Sequence, residues 1–105
     1  MEITVNRLLL EKMIQLKNLC IKHKVKELFV FGSAINGNFS ENSDIDFLVS
    51  FHEMEPEEYA DKYFDLHHGL EELFGREIDL VTVNSLSNPY LIQSINENKE
   101  LVYAA

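Results

Sequence analysis

The chain has 105 residues, nine basic and eighteen acidic, for a net charge of -9 at pH 7. That length sets an expectation of one domain over 1–105, with a core but no separate substrate domain, and the charge argues against unaided DNA or RNA binding because it repels polynucleotide backbones. A lone cysteine, Cys20, excludes an intramolecular disulfide; no apolar run approaches the roughly 18 residues of a membrane span, and Met1 to Arg7 lack a leader pattern, so a cytoplasmic protein without membrane contact is expected.

From about Arg7 to His23, Leu9, Met13, Leu16 and Cys20 recur at helical spacing, with Leu10, Ile14 and Ile21 widening the stripe. This predicts one amphipathic helix, with Cys20 as a buried structural thiol. Leu28 to Phe31 is a short continuous apolar run, as expected of a buried strand. It ends at Gly32, where the backbone can turn tightly and a ligand can approach without meeting a Cβ. Ser33 is placed to open a short helix whose backbone N–H groups, with its hydroxyl, can hold phosphate oxygens. The turn formers Asn36, Gly37, Asn38, Ser40 and Asn42 then predict a loop.

A second strand is predicted over Ile45 to Phe51, with Asp44 at its mouth. Side chains alternate faces along a strand, so Asp44 and Asp46 project from one side while Ile45 and Phe47 project from the other. Carboxylates that close raise one another's pKa unless a cation stands between them, and hard oxygen donors suit Mg2+ better than zinc or copper.

Pro56 suits the first position of a helix, with Glu57 and Glu58 against its positive end. Tyr59, Tyr63, Leu66, Leu70 and Leu73 continue at helical spacing to an end near Gly75. His67 and His68 are adjacent and point apart, which favours solvated or partner-facing roles over a shared metal. Glu77 to Val83 is predicted as a third strand, with Asp79 and Val81 on one face. An aspartate there is costly when buried unpaired and calls for a metal, a base-like role or a structural hydrogen bond. Asn88-Pro89 reads as the cap and first residue of a last helix carrying Leu91, Ile92 and Ile95. The apolar tail Leu101-Val102-Tyr103 is expected to add an edge strand or cover the core. The expected class is α/β (α+β): a small mixed sheet with flanking helices in the order α-β-α-β-α-β-α, its carboxylates gathered on one sheet face.

Gly32-Ser33, ten intervening residues, Asp44-Ile45-Asp46 and then an isolated Asp79 in an apolar run together resemble the DNA polymerase β-like nucleotidyltransferase superfamily. The compact length and the Gly75 to Val81 segment look most like its minimal nucleotidyltransferase (MNT) branch. The resemblance implies a nucleotidyltransferase that moves AMP from ATP, with one or two Mg2+ ions, onto a hydroxyl. Asp44 and Asp46, with Asp79, would hold the metal, and Gly32 and Ser33 the β- and γ-phosphates. Asp79, beside that metal, would deprotonate or orient the attacking hydroxyl. MNT relatives usually place an arginine soon after Gly-Ser, whereas this chain has Ala34-Ile35-Asn36, and Arg76 is the nearest substitute for gripping phosphate. The resemblance further implies an antitoxin that assembles with a small helical HEPN toxin of ribonuclease type and adenylylates it. Two alternatives are an inactive MNT-fold module that silences its partner by occlusion, and an aminoglycoside-like small-molecule nucleotidyltransferase.

Overall fold

The computed structural model describes residues 5–32 and 44–105, without the side chains of Val5 and Asn6. Ser33 and the Ala34-Ile35-Asn36 segment therefore lie outside the described residues. The N-terminal helix is not continuous: α1 (Val5–Glu11) and α2 (Met13–Lys22) are separated at Lys12, whose backbone sits at φ -110° and ψ 12°. Leu9, Leu16 and Cys20 are buried as the spacing predicts. Leu10, Ile14 and Ile21, however, are 73%, 75% and 64% exposed, so they do not widen the buried stripe. A helix resting on a sheet covers a narrow stripe; Ile14 and Ile21 fall outside it, and Leu10, though exposed, lines a cavity with Val30 and Leu101.

Four strands follow: β1 (Val25–Phe31), β2 (Ile45–Phe51), β3 (Ile78–Thr82) and β4 (Glu100–Ala104). Their order across the sheet is β3-β2-β1-β4, with β1 antiparallel to both β2 and β4, and β2 parallel to β3. Parallel neighbours need a long crossover, and α3 (Pro56–Phe74) supplies it. Pro56 opens that helix with Glu57 and Glu58 in the first turn. Gly75 ends it in the left-handed region at φ 63°, donating its N–H to the Glu71 carbonyl at 2.8 Å. Within α3, Gly69 marks a close crossing, since a Cβ there would stand 2.8 Å from Leu19 Cδ1 of α2.

The third strand is shorter than its apolar run suggests. It stops at Thr82 and gives way to a 3-10 turn over Val83–Ser85. Asn88 then caps α4 (Pro89–Asn98), its side chain accepting from the N–H of Tyr90 and of Leu91. The tail takes both of its expected roles: it forms β4 on the edge beside β1, and Val102 and Tyr103 pack against the core.

The core lies on one face of the sheet. Leu16 and Cys20 of α2, Leu66 and Leu70 of α3, and Leu28, Val30, Ile45, Phe47, Val49, Ile78 and Leu80 of the strands form one buried cluster. Leu48 and Ile95 are buried apart from that cluster, on the other side of β2 and on α4. The expected mixed sheet with flanking helices is thus observed, extended by β4 and by the division of the first helix, while the short helix and loop expected between Ser33 and Ser43 lie outside the described residues.

Candidate active site

The end of β1 and the beginnings of β2 and β3 meet at one end of the sheet. Phe31 pairs with Asp46 across the antiparallel ladder, and Asp46 pairs with Asp79 across the parallel one. Paired residues on adjacent strands project from the same face, and strands lie about 4.8 Å apart. Asp46 and Asp79 therefore stand side by side, while their neighbours Ile45 and Ile78, also register partners, turn into the core. Asp44, two residues before Asp46 at the strand mouth, lies toward the same face. Asp44 and Asp79 are exposed and Asp46 is half-buried, so the burial cost expected of an aspartate inside β3 does not arise.

Gly32 adjoins this row directly. Its φ is 76°, and a Cβ at that position would collide with the Asp46 carboxylate, lying 3.1 Å from Asp46 Cγ. The glycine thus serves two needs at once, a left-handed turn and the space the carboxylate occupies. A cavity of about 230 Å3 opens beside it, lined by Phe31, Gly32, Leu91, Ser94, Ile95 and Asn98. Arg76 is half-buried in the α3–β3 turn, at the same end of the sheet as Asp44.

Helix α3 contributes two side chains that the sequence reading did not connect to this site. Tyr63 Oη donates to the Leu80 carbonyl at 2.6 Å, and the His67 ring nitrogen Nε2 donates to the Ile78 carbonyl at 2.7 Å. Burial, and then the negative charge of Asp79, raise the Tyr63 phenol above its ordinary pKa. His67 is therefore half-buried, with one ring nitrogen held by the strand rather than by solvent. His68 is exposed and approaches Glu72 at 2.9 Å, in keeping with the solvated role expected of it. The available signal was the four-residue spacing of Tyr63 and His67, which places both on one helix face. Elsewhere, His23 is buried with Nδ1 on the Leu19 carbonyl at 2.8 Å, and burial pushes the Cys20 thiol up to about 12, so neither suggests chemistry.

Among the described residues, no group of three or more His, Cys, Asp and Glu side chains is gathered so as to hold a metal ion. Asp46 and Asp79 are register neighbours, with Asp44 at the mouth of β2, in an open row rather than a closed cage. Such a row fits Mg2+, which is commonly bound by one or two carboxylates together with substrate phosphates and retained water.

The model of the Nucleotidyltransferase domain family matches residues 12–102, and the chain belongs to that family. A candidate protein adenylyltransferase of Methanocaldococcus jannaschii is 40% identical over 82 residues, covering 78% of this chain and 79% of the relative. Protein adenylyltransferase MntA of Thermococcus cleftensis is 39% identical over 72 residues, 69% of this chain and 70% of its own. A solved structure described as a candidate minimal nucleotidyltransferase superposes with a TM-score of 0.74 at 28% identity, covering 93% of this chain and 95% of that one. The fold also recurs, at TM-score 0.57 and 20% identity over 90% of this chain and 69% of the other, in a complex of a tri-AMPylated Shewanella oneidensis HEPN toxin with its MNT antitoxin. The chain is a nucleotidyltransferase of the minimal type.

Proposed function

We propose that the protein transfers AMP from ATP onto a hydroxyl of a HEPN-type toxin and thereby acts as its antitoxin. The observation that carries this reading is the Asp46–Asp79 register pair set against Gly32, which brings two carboxylates and a backbone free of side chain to one end of the sheet. The adenylyltransferase names of the relatives support the group transferred, and the HEPN complex sharing the fold supports the partner.

Asp44 and Asp46 would hold Mg2+, which when bound would neutralise the triphosphate and polarise the reacting phosphoryl group. The backbone at Gly32, and the N–H and hydroxyl of Ser33, would hold the β- and γ-phosphates beside the metal-bound Asp46. Asp79, one strand farther along the same row, accepts the proton of the incoming hydroxyl as its oxygen bonds to the α-phosphorus and pyrophosphate departs. With a charge of -9 the chain favours a more basic partner.

Two measurements test this. ATP should bind in calorimetry with Mg2+ and fail to bind in EDTA, because carboxylates facing phosphate repel without an intervening cation. Co-expression with a small helical HEPN-type protein should yield a complex in which mass spectrometry finds AMP on the partner. Occlusion is the second reading, favoured by Ala34-Ile35-Asn36 standing where MNT relatives usually carry arginine. A stable complex with no adduct and no Mg2+-dependent ATP binding would establish it instead.

A further inference from the structure

Strand β3 is an outer strand of the sheet, paired to β2 on one side, and it carries Asp79. In a parallel ladder, the carbonyls of Ile78 and Leu80 point away from β2, toward the open edge. Those two carbonyls, on the residues immediately before and after Asp79, are the ones that His67 and Tyr63 hold at 2.7 and 2.6 Å. The fit is metrical: four residues of helix rise about 6 Å, and carbonyls two residues apart on a strand are about 6.6 Å apart. The pairing also runs antiparallel, Tyr63 to Leu80 and His67 to Ile78, as a crossover helix returning along its following strand requires.

We infer that Tyr63 and His67 are positioning residues, a clamp that fixes the β3 backbone on both sides of Asp79 and so sets where its carboxylate meets the acceptor hydroxyl. The inference rests on the role proposed above for Asp79. Among the described residues, β3 is otherwise held by its ladder with β2 and by the core side chains Ile78 and Leu80, which leaves its outer edge able to tilt about the strand axis. A tilt about that axis moves side chains on the exposed face most, and Asp79 is such a side chain. Burial raises the Tyr63 phenol, and the negative charge of the nearby Asp79 adds to that rise. Through the clamp the reactive row is tied to α3, which is anchored in the core through Leu66 and Leu70.

The test compares wild type, Tyr63→Phe, His67→Leu, His67→Gln and Asp79→Asn. Turnover is read as pyrophosphate release from saturating Mg-ATP, with water or the HEPN-type partner as acceptor, and ATP affinity is read by calorimetry. Tyr63→Phe and His67→Leu should each lower turnover about 10-fold, approaching about 100-fold together, as displacement of a reacting group by about 1 Å does. ATP affinity should not change. His67→Gln, whose amide nitrogen reaches the place of Nε2, should recover most of the loss. Wild-type turnover in Tyr63→Phe and His67→Leu beside a slow Asp79→Asn would overturn the clamp and leave the Asp79 reading standing. Wild-type turnover in Asp79→Asn, or no pyrophosphate release by the wild type with either acceptor, would remove that reading and the clamp with it. Equal losses in His67→Gln and His67→Leu, with melting temperatures falling in step, would reduce the contacts to sheet-edge protection and overturn the proposal.

Discussion

The two faces of β2 and β3 are built from alternating residues of the same two short segments, yet they differ in almost every physical respect. On one face Ile45, Phe47 and Val49 are fully buried, and Ile78 and Leu80 are nearly so, under α2 and α3. On the other, Asp44, Asp46 and Asp79 remain accessible at the sheet's end. A strand can carry a charged site without loss of stability because its period of two hands each residue to a single environment. Stability and chemistry are thus separable by position: changes on the first face should cost fold, and changes on the second should cost function.

The largest stability effect falls on the buried face. Phe47→Ala removes a fully buried ring that packs 6.0 Å, centroid to centroid, from Phe74. It should destabilise the protein by about 3–5 kcal/mol, measured by denaturant unfolding. A loss below about 1 kcal/mol would mean that this face is less closely packed than the burial implies. Gly32→Ala comes next and sits at the junction of the two faces. The left-handed backbone costs an alanine about 1–2 kcal/mol, and its methyl must displace the Asp46 carboxylate. Unfolding should therefore show a smaller loss than Phe47→Ala, whereas Mg2+-dependent ATP affinity in calorimetry should fall far more than that loss explains. Unchanged affinity would show that the placement of Asp46 is not critical.

The part of this division legible in the sequence was the part that local physics decides. Alternation along Ile45 to Phe51 separated Asp44 and Asp46 from Ile45 and Phe47, and the structure keeps them apart. Helix boundaries set by stereochemistry were equally readable, with Pro56 and Gly75 bracketing α3 and Asn88-Pro89 opening α4. What could not be read depends on partners distant in sequence. Whether Leu10, Ile14 and Ile21 are covered depends on how far the sheet extends beneath α1 and α2, which helical period does not encode. The role of His67 requires knowing that β3 is an outer strand and that α3 returns along it, a property of strand order rather than of residue type. Gly69 shows the same limit, because its reason lies in Leu19 on another helix.

The account stands most directly on Asp79. Asp79→Asn keeps the shape and removes the charge from an exposed side chain, so unfolding stability should change by no more than about 0.5 kcal/mol. Mg2+-dependent ATP binding should persist through Asp44 and Asp46, and the partner complex should still form. AMP transfer to the partner, followed by mass spectrometry against the wild type, should fall by about 100-fold or more as the proton acceptor is lost. Transfer at the wild-type rate, or a variant that fails to fold, would show that Asp79 serves the structure and not the reaction, contradicting the assignment on which the site is built.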